Sequence, residues 1–142
     1  MTDDALREGA CHCGAVRFNV KLLKGLEPRR CNCSFCRMRG AVAVSARRGD
    51  LMITHGHEQL RTYQFNTRTA EHHFCGVCGI YTHHRRRSNP DELGVNVACL
   101  GLSPFDFACV PVNEGMIHPS DHVGAPRSEI AGYLRYEKTA PG

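Results

Sequence analysis

The sequence predicts a mainly β fold of short antiparallel strands held together by metal. Three observations lead there. Gly, Pro, Asn and Asp punctuate the chain at the roughly 8–12-residue spacing of all-β domains. Between them, apolar and polar residues alternate with a period of two, and no long segment carries a clean helical period. Seven of the 9 cysteines fall into Cys11-x-Cys13, Cys31-x-Cys33-x-x-Cys36 and Cys75-x-x-Cys78.

Taken in order, Ala15–Val20 alternates with Val16, Phe18 and Val20 on one face, and predicts the first strand. The turn Ser34–Arg39, directly after Cys33, is the one helical candidate in the first half. Ala41–Ala46 reads as a short strand with Val42 and Val44 in phase. Leu51–Thr54 and Leu60–Phe65 read as a strand pair joined by His55-Gly56-His57-Glu58. Glu71–Phe74 and Ile80–His84 flank the Cys75/Cys78 turn. Val95, Val97 and Cys99 predict one strand face. Ser103 is placed to cap a short turn with Pro104 at its first position. Phe107–Val112 and Tyr133–Glu137 supply the last strands, and Asn113–Arg127 reads as a long surface loop. A length of 142 residues suits a single domain over 1–142, its core at about 9–112 and a loop-rich part at 113–142.

No apolar run reaches the roughly 20 residues that span a bilayer. The acidic start Met1-Thr2-Asp3-Asp4 resembles neither a signal nor a transit peptide. An odd count of 9 cysteines argues against a closed disulfide framework, so a reducing cytoplasm is expected. The net charge of +4 is mild, but the arginines are bunched. Arg29-Arg30, Arg37 with Arg39, and Arg47-Arg48 surround the three-cysteine cluster in sequence, where they would stabilise thiolates or receive an acidic substrate. The triplet Arg85-Arg86-Arg87 lacks the interleaved aromatics of a nucleic-acid surface.

A closed tetrahedral zinc site takes four ligands, and a catalytic one takes three plus an open position. Four sulfurs at about 2.3 Å from zinc lie about 3.8 Å from one another. Residues two apart on a flat strand lie about 6.5–7 Å apart, so Cys11 and Cys13 require a tight turn. Gly14 and Gly79 follow the two pairs and tolerate the backbone such turns need. Cys11, Cys13, Cys75 and Cys78 therefore predict one zinc closed across a long gap. A redox role for Cys75-x-x-Cys78 is disfavoured, because such pairs open a helix and this one is flanked by strand-like sequence.

Cys31, Cys33 and Cys36 can grip a second metal with the fourth position left to water, a histidine or a substrate. Candidate closing histidines are His12, His55, His57, His72, His73, His83 and His84, and reactive thiols with no metal are the remaining alternative. Three thiolates leave zinc with net negative charge, a poor generator of hydroxide but well matched to a fourth sulfur. That favours a thiol substrate. Cys99 reads as a small buried hydrophobe, and Cys109 as core or strand filler.

These motifs resemble the glutathione-dependent formaldehyde-activating enzyme family, which includes the centromere protein V domain. The matching stretches are Gly9–Phe18, Cys31–Arg37, Phe74–Ile80 and Gly94–Leu100, within a span of about Gly9 to Val112. The resemblance implies an Mss4-like fold with two zincs. Cys11, Cys13, Cys75 and Cys78 would hold the structural ion. Cys31, Cys33 and Cys36 would hold the catalytic one, where the glutathione thiol approaches. The implied reaction is the carbon–sulfur lyase type, formaldehyde and glutathione giving S-hydroxymethylglutathione. Arg37, Arg39 and Asn96 are candidate pocket residues. A zinc-stabilised binding module without catalysis is the alternative.

Overall fold

The computed structural model describes residues 3–116 and 130–139. In chain order the strands are β1 (Asp3–Ala10), β2 (Arg17–Leu22), β3 (Arg30–Cys31), β4 (Ala43–His55), β5 (Leu60–Tyr63), β6 (Glu71–Cys75), β7 (Tyr81–Arg85), β8 (Glu92–Asn96), β9 (Cys109–Asn113) and β10 (Ile130–Arg135). One α-helix, α1, spans Ser34–Arg39. The mainly β expectation holds. The strands form a seven-stranded antiparallel sheet in the order β1-β2-β4-β8-β7-β6-β5, beside a three-stranded sheet β10-β9-β3.

Phe18, Val20 and Leu22 of β2 pack with Val42, Val44, Ala46, Leu93, Val95, Val97 and Cys99 into the main core. The alternation in β2 and β4 fixes this face, and burial of several fully enclosed side chains at about 1.5–3 kcal/mol each supplies its driving force. Among the described residues no helix is long and apolar enough to cross a membrane.

Several predicted elements differ. β1 was not expected. As an edge strand it is held by its ladder to β2 rather than by an apolar face of its own, and Leu6 is exposed. The two segments Ala41–Ala46 and Leu51–Thr54 are one strand, β4, because Arg47–Asp50 bulges without breaking it. Its first half pairs with β8 and its second half with β2, and the register jumps between Val20 and Leu22. Leu51–Thr54 does not pair with the segment at Leu60. That segment, β5, pairs with β6 at the far edge of the sheet. The strand expected through Val95, Val97 and Cys99 stops at Asn96. Asn96 Oδ1 accepts from the Ala98 N–H (3.1 Å), and Val97–Leu100 turns into a 3₁₀ helix. Val97 and Cys99 are buried all the same. The Pro104–Asp106 turn forms as predicted, with a capping box between Ser103 and Asp106. Of the long loop expected at 113–127, residues 117–127 lie outside the described residues.

His83 of β7 sits in the sheet interior against the Phe18 ring, with centroids 6.2 Å apart. Burial pushes its pKa down to about 3. The folded state thus resists a proton that the unfolded chain accepts near pH 6.5. Stability from this residue is full above about pH 6.5 and drains as pH falls toward 3, at about 1.4 kcal/mol per pH unit. The urea midpoint should therefore fall on acidification below pH 6.5. In His83→Gln, which keeps a partner for Thr82, the slope should flatten by about one proton. An unchanged slope would move the acid sensitivity elsewhere.

Candidate metal centres and the adjoining cavity

The first cysteine set comes from both halves of the seven-stranded sheet. Cys11 and Cys13 sit in the turn between β1 and β2, and Cys75 and Cys78 in the turn between β6 and β7. Four strand steps separate β2 from β6 in the sheet, about 19 Å if it were flat at the usual 4.8 Å spacing. Yet Cys13 Sγ lies 3.8 Å from Cys75 Sγ and 3.7 Å from Cys11 Sγ. The sheet must curl to close that gap. Local turns aim the sulfurs. Gly14 and Gly79 adopt left-handed backbone at φ 78° and 80°. Val16 N–H donates to Cys11 Sγ (3.3 Å), and Val77 N–H and Cys78 N–H donate to Cys75 Sγ (3.3 and 3.5 Å). The four sulfurs lie within 4.8 Å of one another, and the two measured separations match tetrahedral Zn–S geometry.

The second set is local. Cys31 ends β3, Cys33 is the N-cap of α1, and Cys36 lies on its first turn. Cys33 Sγ accepts the Cys36 N–H at 3.3 Å, and Cys31 Sγ accepts the Cys33 N–H at 3.4 Å. Gly40 ends the helix in the left-handed region, donating to the Cys36 carbonyl. None of the helix's residues is fully buried, so its caps carry much of its definition. The three sulfurs lie within 4.8 Å of one another. None of the candidate histidines joins them at that distance. Hydrogen bonds from Cys31 and then Cys36 hold Cys33 as a thiolate, its pKa drawn down to about 2, while Cys31 and Cys36 are pushed up by sharing those bonds. A dication would displace the retained protons. Both donor sets thus fit zinc, and both can hold a metal ion.

Arg39 braces the trio. Its Nη2 donates to Cys36 Sγ (3.4 Å) and its Nη1 to His72 Nδ1 (2.9 Å). The guanidinium lies 3.8 Å from the Tyr81 ring centroid and 4.9 Å from that of Phe35, so cation–π contact surrounds its otherwise unpartnered Nε. Burial, and next the charge of Arg39, lowers the His72 pKa to about 4. His72 is therefore a neutral imidazole whose Nδ1 accepts, leaving the proton on Nε2. His72 stacks on His84 across β6 and β7, centroids 5.4 Å apart, and His73 stacks likewise on His83 at 4.6 Å. His72 and His84 face a cavity, and His83 is buried on the opposite face.

That cavity, of about 370 Å³, opens beside Cys31, Cys33 and Cys36. Of the candidate pocket residues, Arg39 lines it. Arg37 is exposed on α1 and does not line it. Asn96 is buried, its Nδ2 donating to the Tyr81 carbonyl at 2.8 Å, and it too is absent from the wall. Arg47 and Arg48, grouped with the trio by sequence, lie instead beside Asp91 and Glu92, whereas Arg86 and Arg87 reach the cavity. Phe35, Phe65 and His72 form an aromatic cluster at its edge, with Phe35 and His72 centroids 4.2 Å apart. Nothing in the local sequence announces that grouping, because β5 and β6 bring it to α1.

The sequence model described as glutathione-dependent formaldehyde-activating enzyme matches residues 6–113. The chain belongs to this family. A Halomonas elongata protein, provisionally named glutathione-dependent formaldehyde-activating enzyme, is 40% identical over 81 residues, 51% of this chain and 52% of that relative. The match thus spans about half the length of that curated relative. The crystal structure of a Rhodobacter sphaeroides protein agrees in fold at a TM-score of 0.72 with 60% identity, covering 74% of this chain and 98% of that one.

In this family member the segment after β9 roofs the trio. Gly115 N–H donates to Asn32 Oδ1 at 2.6 Å, and a Cβ on Gly115 would collide with Cys31 Sγ. Gly115→Ala should push Cys31 aside. Metal affinity at the trio is expected to fall about 10–100-fold, as for other supporting-shell changes, with the melting temperature little changed. Competition against a chromophoric chelator would measure it, and an unchanged affinity would refute the contact.

Proposed function

We propose that the protein is a cytoplasmic zinc enzyme of carbon–sulfur type that joins a thiol, glutathione or a close analogue, to formaldehyde. The observation that carries this reading is the trio itself, three sulfurs at a cavity wall with no fourth protein ligand among the described residues. Cys11, Cys13, Cys75 and Cys78 would hold a structural zinc, and Cys31, Cys33 and Cys36 a second. Zinc in the three-sulfur set supplies an open position suited to a soft ligand, and so favours an incoming thiol in its thiolate form.

The chain's own residues would do the rest. The backbone amides of Cys33 and Cys36 and the guanidinium of Arg39 neutralise sulfur charge and hold the trio's geometry. The substrate thiol gives up its proton to solvent, and its sulfur attacks the aldehyde carbon. The C–S bond forms as the carbonyl π bond opens, and the oxygen takes a proton to become the hydroxyl. No electron transfer is involved. Nine unpaired cysteines support a reducing setting.

Exchange NMR of glutathione with formaldehyde tests the proposal. Zinc-loaded protein should accelerate adduct exchange, and chelation should abolish the acceleration. Exchange no faster than in buffer would overturn the catalytic reading and leave a zinc-stapled binding module.

A further inference from the structure

The cavity beside the trio is lopsided in charge. Arg29, Arg30, Arg39, Arg86 and Arg87 line it, and no aspartate or glutamate among the described residues does. Two of the five are partly neutralised from outside. Arg29 Nη2 lies 4.0 Å from Glu27 Oε1, and Arg86 Nη1 lies 3.3 Å from Glu92 Oε1. Arg39 is occupied by Cys36 and His72. Arg30, adjacent in β3 to the trio's Cys31, is half-buried and pairs with no carboxylate among the described residues. Like charges gathered around a concave wall repel one another, and a bound anion relieves that repulsion. Guanidinium offers carboxylates a planar, two-pronged partner. The cavity's size falls within the range of small-ligand sites.

We infer that the cavity selects its thiol by negative charge, with Arg30 as the principal carboxylate seat. The ligand class is a small carboxylate-bearing thiol, preferably a dianion, whose sulfur reaches the trio while a carboxylate rests on Arg30. The five arginines outnumber the trio's negative charge and no carboxylate among the described residues lines the wall to pair an ammonium, so a cationic thiol without a carboxylate is disfavoured. This inference rests on the thiol reading above and adds what the thiol must carry.

Titration calorimetry on the zinc-loaded protein, with glutathione, its diethyl ester, S-methylglutathione, mercaptosuccinate and cysteamine, tests both. The ester should bind at least tenfold more weakly than glutathione, since it loses the charge-assisted hydrogen bonds to guanidinium. Mercaptosuccinate should bind more tightly than the diethyl ester of glutathione, and cysteamine should give no heat. Arg30→Gln, checked for zinc content and melting, should lose about tenfold for glutathione and nothing for the ester. Arg30→Lys, keeping charge without the fork, should fall between. Equal binding of ester and acid would overturn charge selection while leaving the sulfur reading intact. Equal binding of S-methylglutathione and glutathione would overturn the sulfur reading while leaving charge selection intact. An unaltered acid-to-ester ratio in both Arg30 variants would overturn the assignment of Arg30.

Discussion

Cys75→Ser is expected to leave the protein without a cooperative fold. Cys75 is 0% exposed at the end of β6, where the sheet curls back to meet the turn after β1. Its sulfur receives two backbone N–H bonds and lies 3.8 Å from Cys13 Sγ. The set packs only on Val16, with Ala15 and Leu60 alongside, so little apolar burial supports it. The proposed zinc would supply the rest. Structural zinc in small domains contributes about 10–16 kcal/mol, comparable with the whole stability of about 5–15 kcal/mol for a domain. Serine keeps the volume but replaces a soft thiolate with a hydroxyl that zinc accepts poorly. Circular dichroism and zinc analysis of the variant check this. The expected result is loss of the melting transition and of bound zinc. A cooperative transition within about 1 kcal/mol of the parent, with both zincs retained, would show that the curl does not depend on this site.

What sequence could and could not reveal follows from the range of the forces involved. The two cysteine groupings and α1 were legible because their determinants are local. Cys33 caps the helix that it precedes, Gly40 ends it, and Gly14 and Gly79 shape their turns. The Phe18 and Val20 face was legible because strand periodicity is local too. Strand pairing is not. Leu51–Thr54 and Leu60–Tyr63 are neighbours in sequence, yet they end on different parts of the sheet because β4 has better partners in β2 and β8. Arg86 and Arg87 looked like an isolated basic run until β7 carried them to the cavity. Asn96 looked available because its hydrogen-bond partner, the Tyr81 carbonyl, comes from another strand. The candidate site was thus readable in its cysteine clusters and, Arg39 apart, unreadable in its walls.

Cys33→Ser is expected to do the opposite of Cys75→Ser, abolishing adduct formation while the fold survives. α1 buries no residue, so nothing in the main core leans on the trio. Cys33 does cap the helix, and losing a cap costs about 0.5–2 kcal/mol. Serine is itself a preferred cap, so that contribution is retained or improved in this variant. What serine cannot supply is the sulfur at the centre of the trio, whose neighbours Cys31 and Cys36 are too few to hold zinc tightly by themselves. Zinc should fall by one per chain, exchange NMR should return to the rate in buffer, and the melting temperature should stay within a few degrees. Cys33→Ala separates the two roles, because it removes cap and ligand together. It should match Cys33→Ser in activity and fall below it in stability. Parent-level exchange in Cys33→Ser would take the chemistry away from the trio, and loss of folding in that variant would make the trio a second staple.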